Sequence, residues 1–303
     1  MHFLISEQTI NPVSLMLIGF IVGVLGGFFG VGGSFLAGPG LFALGVPMNF
    51  VVGTDLAHIV GKSIVATKKH RALGNVDLRL GGIMVLGTIV GVELGARFIE
   101  TLKRLGSVDQ TVGGCYVVIL VTISGFMAIE SIKTMRQSAA PQKGARGRDE
   151  SAFSNVACAI QRIPLPPYVS LPVSGIDRIS VWAIVFVSLI GGFFSGFLGG
   201  GAGYIRMPSM IYLLGIPTHV AVGTDLFEIM ISASYGTFTH ELKGNVDIMI
   251  ALVMHTGEAI GAQIGAVATQ YFAGPRIRLA FVPLPLIGAC IVIYGLMSGH
   301  GAE

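Results

Sequence analysis

Charged residues are scarce in this chain. Only 12% of its 303 residues are Asp, Glu, Lys or Arg, while 52% are hydrophobic. Soluble domains carry about 25% charged residues, and half that density cannot cover a water-facing surface. Long stretches have few or no charges, namely 12–53, 110–129, 179–205, 207–224 and 279–299. Because a spanning helix needs about 20 mostly apolar residues, the sequence predicts an all-α integral membrane protein that crosses the bilayer several times.

Other absences narrow the function. The three cysteines, Cys115, Cys158 and Cys290, are far apart and form no CxxC or Cys/His pattern, so neither a metal site nor a cofactor is expected. The phosphate-binding signature G-x-x-x-x-G-K-[ST] is missing, which argues against ATP-driven transport. A net charge of +3 is too small to indicate a nucleic-acid partner. The first 30 residues lack a basic n-region and a cleavage site, so we expect the first helix to be retained.

The chain contains an internal duplication. Residues 41–77 align with 211–247 without a gap at an offset of 170, with 15 identities in 37 positions. Both copies contain the motif L-G-[VI]-P, then G-T-D-L, then G-N-V-D. Upstream, GGFFGVGG at 26–33 is similar to GGFFSGFLGGG at 191–201. We therefore predict two homologous membrane repeats.

The repeats are predicted to be residues 1–133 and 179–303. Between them, residues 134–178 are first charged and then rich in proline, which is typical of a solvent-exposed linker. Each repeat gives one series of segments: a Gly-rich helix, a short segment opened by glycine and proline, a GTDL helix and two ordinary spans. The predicted ranges are 13–30, 33–46, 50–70, 78–100 and 111–133 in the first repeat, and 180–198, 203–215, 219–240, 247–271 and 278–298 in the second.

The short second segments decide the topology. If they cross the membrane, each repeat has five passes and the repeats are inverted; if they re-enter, each has four passes and the repeats are parallel. Either arrangement gives a positive-inside bias, so basic residues alone do not discriminate. We favour five plus five inverted repeats with broken second helices, because this plan recurs in transporters.

Glycine interruptions at matched positions indicate a transport site. Gly32 and Gly33, like Gly200 and Gly201, would unwind the backbone, and helix starts freed in this way bind anions. An oxyanion held from both sides would favour two such starts that point at each other. The alternative is that these glycines only allow close helix crossing.

The GTDL helices carry ionisable groups at membrane depth, which makes them functional candidates. Asp55 and His58 share one helix face, and Asp225 and Glu228 occupy the matching face of the second repeat. We assign these four residues to ion coupling. The structural alternative is that the aspartates cap helices or bond across the repeat axis. Lys62, near the predicted cytoplasmic end, is expected to extend its amine to the interface.

Further candidates line the same region. Arg206, in the second broken segment, would either hold an oxyanion bidentately or anchor the helix at the interface. Asn49 and His219 are expected to cap the GTDL helices and to line the site. The hydroxyl groups of Thr54 and Thr224 would be additional donors.

Three remaining patterns are interpreted as structural. His255 and Glu258 are spaced like half of a metal motif, but the other ligands are absent. Glu93 and Arg97 are spaced for an i, i+4 ion pair. In G-N-V-D, the glycine would end one helix and the Asn or Asp would start the next.

Taken together, the Gly-rich stretch GGFFGVGGSFLAGPGL, the doubled L-G-[VI]-P-x-[NH]-x-x-x-G-T-D-L and the doubled G-N-V-D resemble the sulfite exporter TauE/SafE family of membrane permeases. The resemblance covers nearly the whole chain outside the linker. It implies transport of sulfite, sulfonates such as sulfoacetate, or related anions, coupled to an ion gradient.

The main functional hypothesis is a secondary transporter, working as an exporter, that moves a small anion across a cell inner membrane. Its expected partners are that anion and the lipid bilayer, with no nucleic acid; the oligomeric state is not predicted. A passive anion channel is the alternative. An enzyme is not expected, because the sequence offers no nucleophile or metal set.

Overall fold

The computed structural model describes residues 2–3, 8–30, 34–138, 154–272 and 274–297. It shows an all-α membrane protein in which seven helices of the described ranges are long and apolar enough to span a bilayer. The first half contains α1 (Pro12–Phe29), α2 (Ser34–Ala43), α3 (Met48–Ala72), α4 (Leu78–Arg104) and α5 (Val108–Ser138). The second half contains α7 (Val181–Leu198), α8 (Gly203–Ser209), α9 (Thr218–Glu241), α10 (Ile248–Ala268), α11 (Gly274–Phe281) and α12 (Pro283–Met297). A small hairpin, β1 (His2–Phe3) and β2 (Gln8–Thr9), precedes α1.

The predicted interruptions are present in both halves. Helix α1 ends at Gly30, which adopts a left-handed conformation, and α2 begins at Ser34. In the second half Gly199 and Gly200 have positive φ, and the short 3₁₀ turn Gly200–Ala202 leads into α8. A side chain at these positive-φ glycines would strain the backbone.

Glycine contacts join each half to the other. Built on Gly19, Gly23 and Gly27 of α1, a Cβ atom would overlap the backbone of Met254, Glu258 and Ala262 of α10, in that order. The numbers rise together, so α1 and α10 run in the same direction with their backbones in contact. Helices α4 and α7 repeat this arrangement through Gly87, Gly91 and Gly95. Small residues at such spacing are what close packing of membrane helices requires.

Helices α3 and α9 pack antiparallel at the centre. Gly53, near the start of α3, meets the carbonyl of Asn245 beyond the end of α9, and Gly223 meets the carbonyl of Asn75 in the same way. The two repeated motifs therefore interlock: the GTDL of one half packs on the GNVD of the other.

Hydrogen bonds fix this interlock. The amides of Asp77 and Asp247 each donate to the threonine hydroxyl of the opposite GTDL, Thr224 and Thr54, at 2.9 Å. Each aspartate also caps its own helix, as predicted: Asp77 accepts from two amides at the start of α4 and Asp247 from two at the start of α10. Gly74 and Gly244 have positive φ where the preceding helices end.

The predicted alignment of the Gly-rich stretches was wrong by one helical turn. It pairs Gly26 with Gly191, whereas the contacts pair Gly27 with Gly196: each carbonyl accepts from a matched histidine, His70 or His240, at 3.0 Å. Small residues recur about every four positions, so an alignment shifted by one helical turn matches the sequences equally well. From α1 to Pro39 the offset is thus 169, with Pro208 matching Pro39.

One inserted residue restores the offset of 170. The π-helical turn Met210–Leu214 directly follows α8 and accommodates this extra residue. Single π turns inside α-helices are frequent at functional sites. After the turn the halves match again, since Gly45 and Gly215 are both left-handed.

The predicted linker contains structure in its described part. Helix α6 (Ser154–Gln161) and the antiparallel hairpin of β3 (Tyr168–Leu171) and β4 (Ile176–Ser180) pack together. Ser174 donates a hydrogen bond to Asp77, and Gln161 donates one to the carbonyl of Leu214, both at 2.8 Å. Residues 139–153 lie outside the described residues, and the linker's boundaries stay a prediction.

The helix contacts can be tested with a glycine pair. Gly91→Val places a branched side chain against the backbone of α7 and should destabilise the protein by about 1–3 kcal/mol or more. Gly125→Val on α5 meets no atom within 4 Å and should change stability little. Thermal unfolding of the purified proteins in detergent provides the measurement. Equal losses in the two variants would contradict the close contact of α4 with α7.

Candidate functional site

Arg206 of α8 is the centre of one buried charge cluster. Its Nε lies 2.8 Å from Asp225 Oδ1, and its Nη2 lies 2.7 Å from Glu228 Oε2, with both carboxylates on α9. All three side chains are fully buried. Thr88 of α4 and Ser232 of α9 border Glu228. These five residues are called the Arg206 cluster below.

Within the described residues, Arg206 Nη1 has no hydrogen-bond partner. A buried guanidinium donor without an acceptor is costly, so this atom is a candidate contact for a bound anion. The interface-anchor interpretation of Arg206 is wrong, because the side chain lies wholly inside the helix bundle.

Gly191 makes room for the arginine. A Cβ atom on Gly191 would overlap the Cγ atom of Arg206 and lie 2.7 Å from its Cδ. At the offset of 169, Gly191 and Arg206 correspond to Val22 and Ala37, both buried. The second half therefore combines a large cationic side chain with a glycine where the first half combines alanine with valine.

A second buried cluster is centred on His58 of α3. His58 Nε2 is 2.6 Å from Asp55 Oδ1, and His58 Nδ1 is 2.8 Å from Glu258 Oε1 of α10. Lys62 Nζ donates to the same Glu258 oxygen at 2.9 Å. These four residues, the Lys62 cluster, are also fully or almost fully buried. The expectation that Lys62 reaches the interface was wrong, because Glu258 provides a partner at depth.

The clusters occupy equivalent places in the two repeats. At the offset of 170, Asp55, His58, Lys62 and Thr88 correspond to Asp225, Glu228, Ser232 and Glu258. The aspartate is kept, but the fixed cation is Lys62 of α3 in one cluster and Arg206 of α8 in the other. Sequence reasoning missed the role of Glu258; its signal was a carboxylate inside an apolar helix, which is expensive without a partner.

Two tyrosines lie between the clusters. The rings of Tyr116 (α5) and Tyr204 (α8) have centroids 6.1 Å apart, and the Tyr204 hydroxyl lies within electrostatic range of both Asp55 and Arg206. A Cβ on Gly38 would be 3.0 Å from the Tyr116 hydroxyl and 3.6 Å from Asp55 Oδ2, so these two polar groups are neighbours. The two hydroxyl-bearing side chains therefore occupy the space between Asp55 and Arg206.

Charge balance differs between the clusters. The Lys62 cluster has two carboxylates and one fixed cation, so it is neutral when His58 carries a positive charge. The Arg206 cluster has two carboxylates against a single guanidinium and keeps one negative charge unless a carboxylate is protonated. Because uncompensated charge inside a membrane protein is expensive, the structure favours two bound protons in this closed arrangement.

The two helix interruptions do not point at each other, contrary to expectation. Gly30 packs on Val222 near the start of α9, while Gly199 packs on Val52 near the start of α3. Since α3 and α9 are antiparallel, these places are roughly 30 Å apart along the axes. Gly200 and Gly201 lie in the 3₁₀ turn before α8; Gly32 and Gly33 lie outside the described residues.

The predicted caps of the GTDL helices are also wrong. The helices begin at Met48 and Thr218, one residue after a proline, so Asn49 and His219 are already inside the first turn. Instead of capping its own helix, Asn49 donates to the Asn245 side chain at 3.3 Å.

Other candidate side chains have partners within the protein. The hydroxyls of Thr54 and Thr224, which were expected to donate to the substrate, instead accept hydrogen bonds from the GNVD amides. Arg97 donates to Glu93 at 2.7 Å in the predicted ion pair. His255 packs against Gly61 of α3.

No residue of either cluster lines the apolar groove or the polar cavity described next. An apolar groove of about 890 Å³ lies between α1, α2 and α12, lined by residues such as Ile18, Gly40 and Tyr294. A polar cavity of about 550 Å³ lies between α6 and the β3–β4 hairpin. The charge clusters are enclosed by packed helices, so a ligand reaches them only after the helices move.

Comparisons with known proteins agree with the sequence pattern. The family model described as sulfite exporter TauE/SafE matches residues 15–292. The chain is 24% identical to the probable membrane transporter protein YunE of Bacillus subtilis, over 94% of this chain and 99% of that relative. It is 24% identical to YjnA of the same species, over 93% and 96%, and 29% identical to MJ0441 of Methanocaldococcus jannaschii, over 63% and 74%. No solved structure matches the chain.

Removing the buried guanidinium should be costly. Arg206→Met leaves Asp225 and Glu228 without their cation, and loss of one partner from a buried ion pair costs about 3–5 kcal/mol. Adding Asp225→Asn and Glu228→Gln should recover most of that stability, since the carboxylates that need the cation are then gone.

Arg97→Met is the matched control, because Arg97 is 72% exposed and its ion pair contributes little. Thermal unfolding in detergent at one pH compares the variants. If Arg206→Met is as stable as Arg97→Met, the Arg206 cluster is not the buried ion pair described above.

Proposed function

The chain belongs to the sulfite exporter TauE/SafE family, and on this basis we propose that it is a proton-coupled secondary transporter that exports a small oxyanion, such as sulfite or an organosulfonate, across the cell inner membrane. The relatives named as probable membrane transporters support the transport role. The chemistry inside the bundle supports the choice of an anion.

The observation that carries this proposal is the buried guanidinium of Arg206. A planar guanidinium binds the oxygens of a sulfite or sulfonate group in a bidentate manner. Its Nη1 is without a partner among the described residues, and its other two nitrogens face carboxylates that an anion would replace. We therefore assign Arg206 to substrate binding.

Competition with the carboxylates provides the coupling. An oxyanion beside ionised Asp225 and Glu228 would add negative charge to a cluster that already has an excess. Protonation of these carboxylates weakens their hold on Arg206 and leaves the guanidinium available for the substrate. The anion and at least one proton therefore bind together, with Asp225 and Glu228 as the coupling groups.

This scheme is compatible with export. A dianion that binds with one proton crosses the membrane with one net negative charge. An inside-negative potential drives that charge outward, and each charge is worth about 2.3 kcal/mol per 100 mV.

For the topology we propose five plus five inverted repeats. The antiparallel packing of α3 with α9, and the parallel packing of α1 with α10 and α4 with α7, follow if α2 and α8 each return the chain across the bundle. The linker and the basic residues Lys68, Lys69, Arg71 and Arg79 would then share the cytoplasmic side, in agreement with the positive-inside rule.

A flux assay in proteoliposomes tests the function. Purified protein should move sulfite or sulfoacetate faster than empty vesicles do, and an imposed pH gradient should change the accumulation of the anion. Sulfate tests selectivity among oxyanions. If none of the three anions moves faster than in empty vesicles, the proposed substrate class is wrong. If an anion moves at a rate that does not depend on the pH gradient, the result indicates a passive channel.

The coupling carboxylate can be examined separately. Asp225→Asn should abolish pH-driven accumulation while weakening substrate binding much less, because the amide keeps the shape but cannot release a proton. Binding is measured by calorimetry on the detergent-purified variant and accumulation in vesicles. Glu93→Gln, a change in the partly exposed ion pair, is the control. Accumulation that survives Asp225→Asn would exclude this residue from coupling.

A further inference from the structure

His58 lies between two carboxylates that come from different halves of the molecule. Its two ring nitrogens are 2.6 Å from Asp55 Oδ1 and 2.8 Å from Glu258 Oε1. A neutral imidazole carries hydrogen on one nitrogen only. The lone pair of the other nitrogen would then lie within 2.8 Å of a carboxylate oxygen, which is repulsive. Both short contacts are attractive when the imidazole carries a second proton, because each ring nitrogen then donates to a carboxylate.

The charges around this group also favour the additional proton. Lys62 of α3 contacts Glu258. His255 of α10 packs against Gly61, one residue before Lys62. On the Asp55 side the neighbours are the hydroxyls of Tyr116 from α5 and Tyr204 from α8. Among the described groups near His58, Lys62 is the one fixed cation against two carboxylates, so the cluster is neutral with one more proton.

Resting on the proposed function, we propose that Asp55, His58 and Glu258 form a proton-binding site separate from the anion site at Arg206, and that its proton holds α10 against α3. Glu258, which was first interpreted as part of an incomplete metal motif, is the residue that completes the site. Asp55, His58 and Lys62 are on α3, so only Glu258 makes the site depend on the position of α10.

Loss of the proton has a mechanical consequence. The cluster then holds one excess negative charge, and one of the two His58 contacts becomes repulsive. The contact between α3 and α10 weakens as a result, and α10 moves together with α1, to which it is joined by direct glycine contacts. Tyr116 and Tyr204, whose ring centroids are 6.1 Å apart, lie between this site and Arg206.

The protonation state of His58 can be observed directly. The protein is prepared with ¹⁵N-labelled histidine and its NMR spectrum is recorded. The chain has seven histidines, and the His58 signal is the one that is missing from the spectrum of the His58→Gln variant. At mildly alkaline pH, where an exposed histidine is neutral, the signal should be that of an imidazolium. Glu258→Gln should convert it to a neutral imidazole, and the isosteric amide keeps the packing of α10.

Two controls separate this proposal from the proposed function. Glu93→Gln should leave the His58 signal unchanged, because Glu93 pairs with Arg97 and not with His58. Asp225→Asn should also keep the imidazolium while it abolishes pH-driven accumulation in vesicles. An imidazolium in a protein that transports no anion would refute the proposed function but not the proton site.

The proton site has its own contrary results. A neutral His58 at mildly alkaline pH in the unmodified protein would overturn it. So would an imidazolium that persists in both Glu258→Gln and Asp55→Asn. If Glu258→Gln fails to fold, Asp55→Asn tests the same site from α3, and loss of the imidazolium signal in that variant supports the proposal.

Discussion

Charged side chains that are buried inside a membrane helix bundle need oppositely charged partners in contact with them. This requirement determines which helices meet at the centre of the protein. Lys62 and Arg206 are fully buried with four carboxylates. Each cation is paired with a carboxylate on a different helix. Arg206 needs α8 beside α9, and Lys62 needs α10 beside α3. Glycines also lie at these contacts: Gly191 of α7 makes room for the Arg206 side chain, and Gly61 of α3 packs against His255 of α10.

Much of the scaffold could be predicted because its signals are local and occur twice. The scarcity of charge indicates the membrane class, and the repeated GTDL and GNVD motifs indicate the duplication. The positive-φ glycines and the aspartate caps of α4 and α10 lie where the letters predict them. Glycine-rich stretches likewise predict the breaks before α2 and α8, although Pro39 and Pro208 lie inside these helices. In each case the physical cause involves only a few neighbouring residues.

The candidate site was harder to predict because its partners come from different repeats. Lys62 looked like an interfacial residue until Glu258, 196 positions away, was found opposite it. The threonines of GTDL looked like ligand donors, but they accept hydrogen bonds from the other half. The one-turn error between the Gly-rich helices has the same origin. When small residues recur every four positions, two alignments that differ by four residues match equally well. Only the contacts of Gly27 and Gly196 with the matched histidines identify the correct pairing.

The duplicated scaffold carries two different sets of charges, and this difference has a consequence for mechanism. If both repeats held the same residues, each would bind the same ligand in turn. Here α3 carries a histidine between two carboxylates, while α8 carries an arginine whose Nη1 has no hydrogen-bond partner among the described residues. The paired glycine contacts are nevertheless alike on both sides, so a rearrangement of one helix pair has a counterpart in the other. A motion shared by the two halves would then open a proton site and an anion site together, which is what coupled transport requires of a single conformational change.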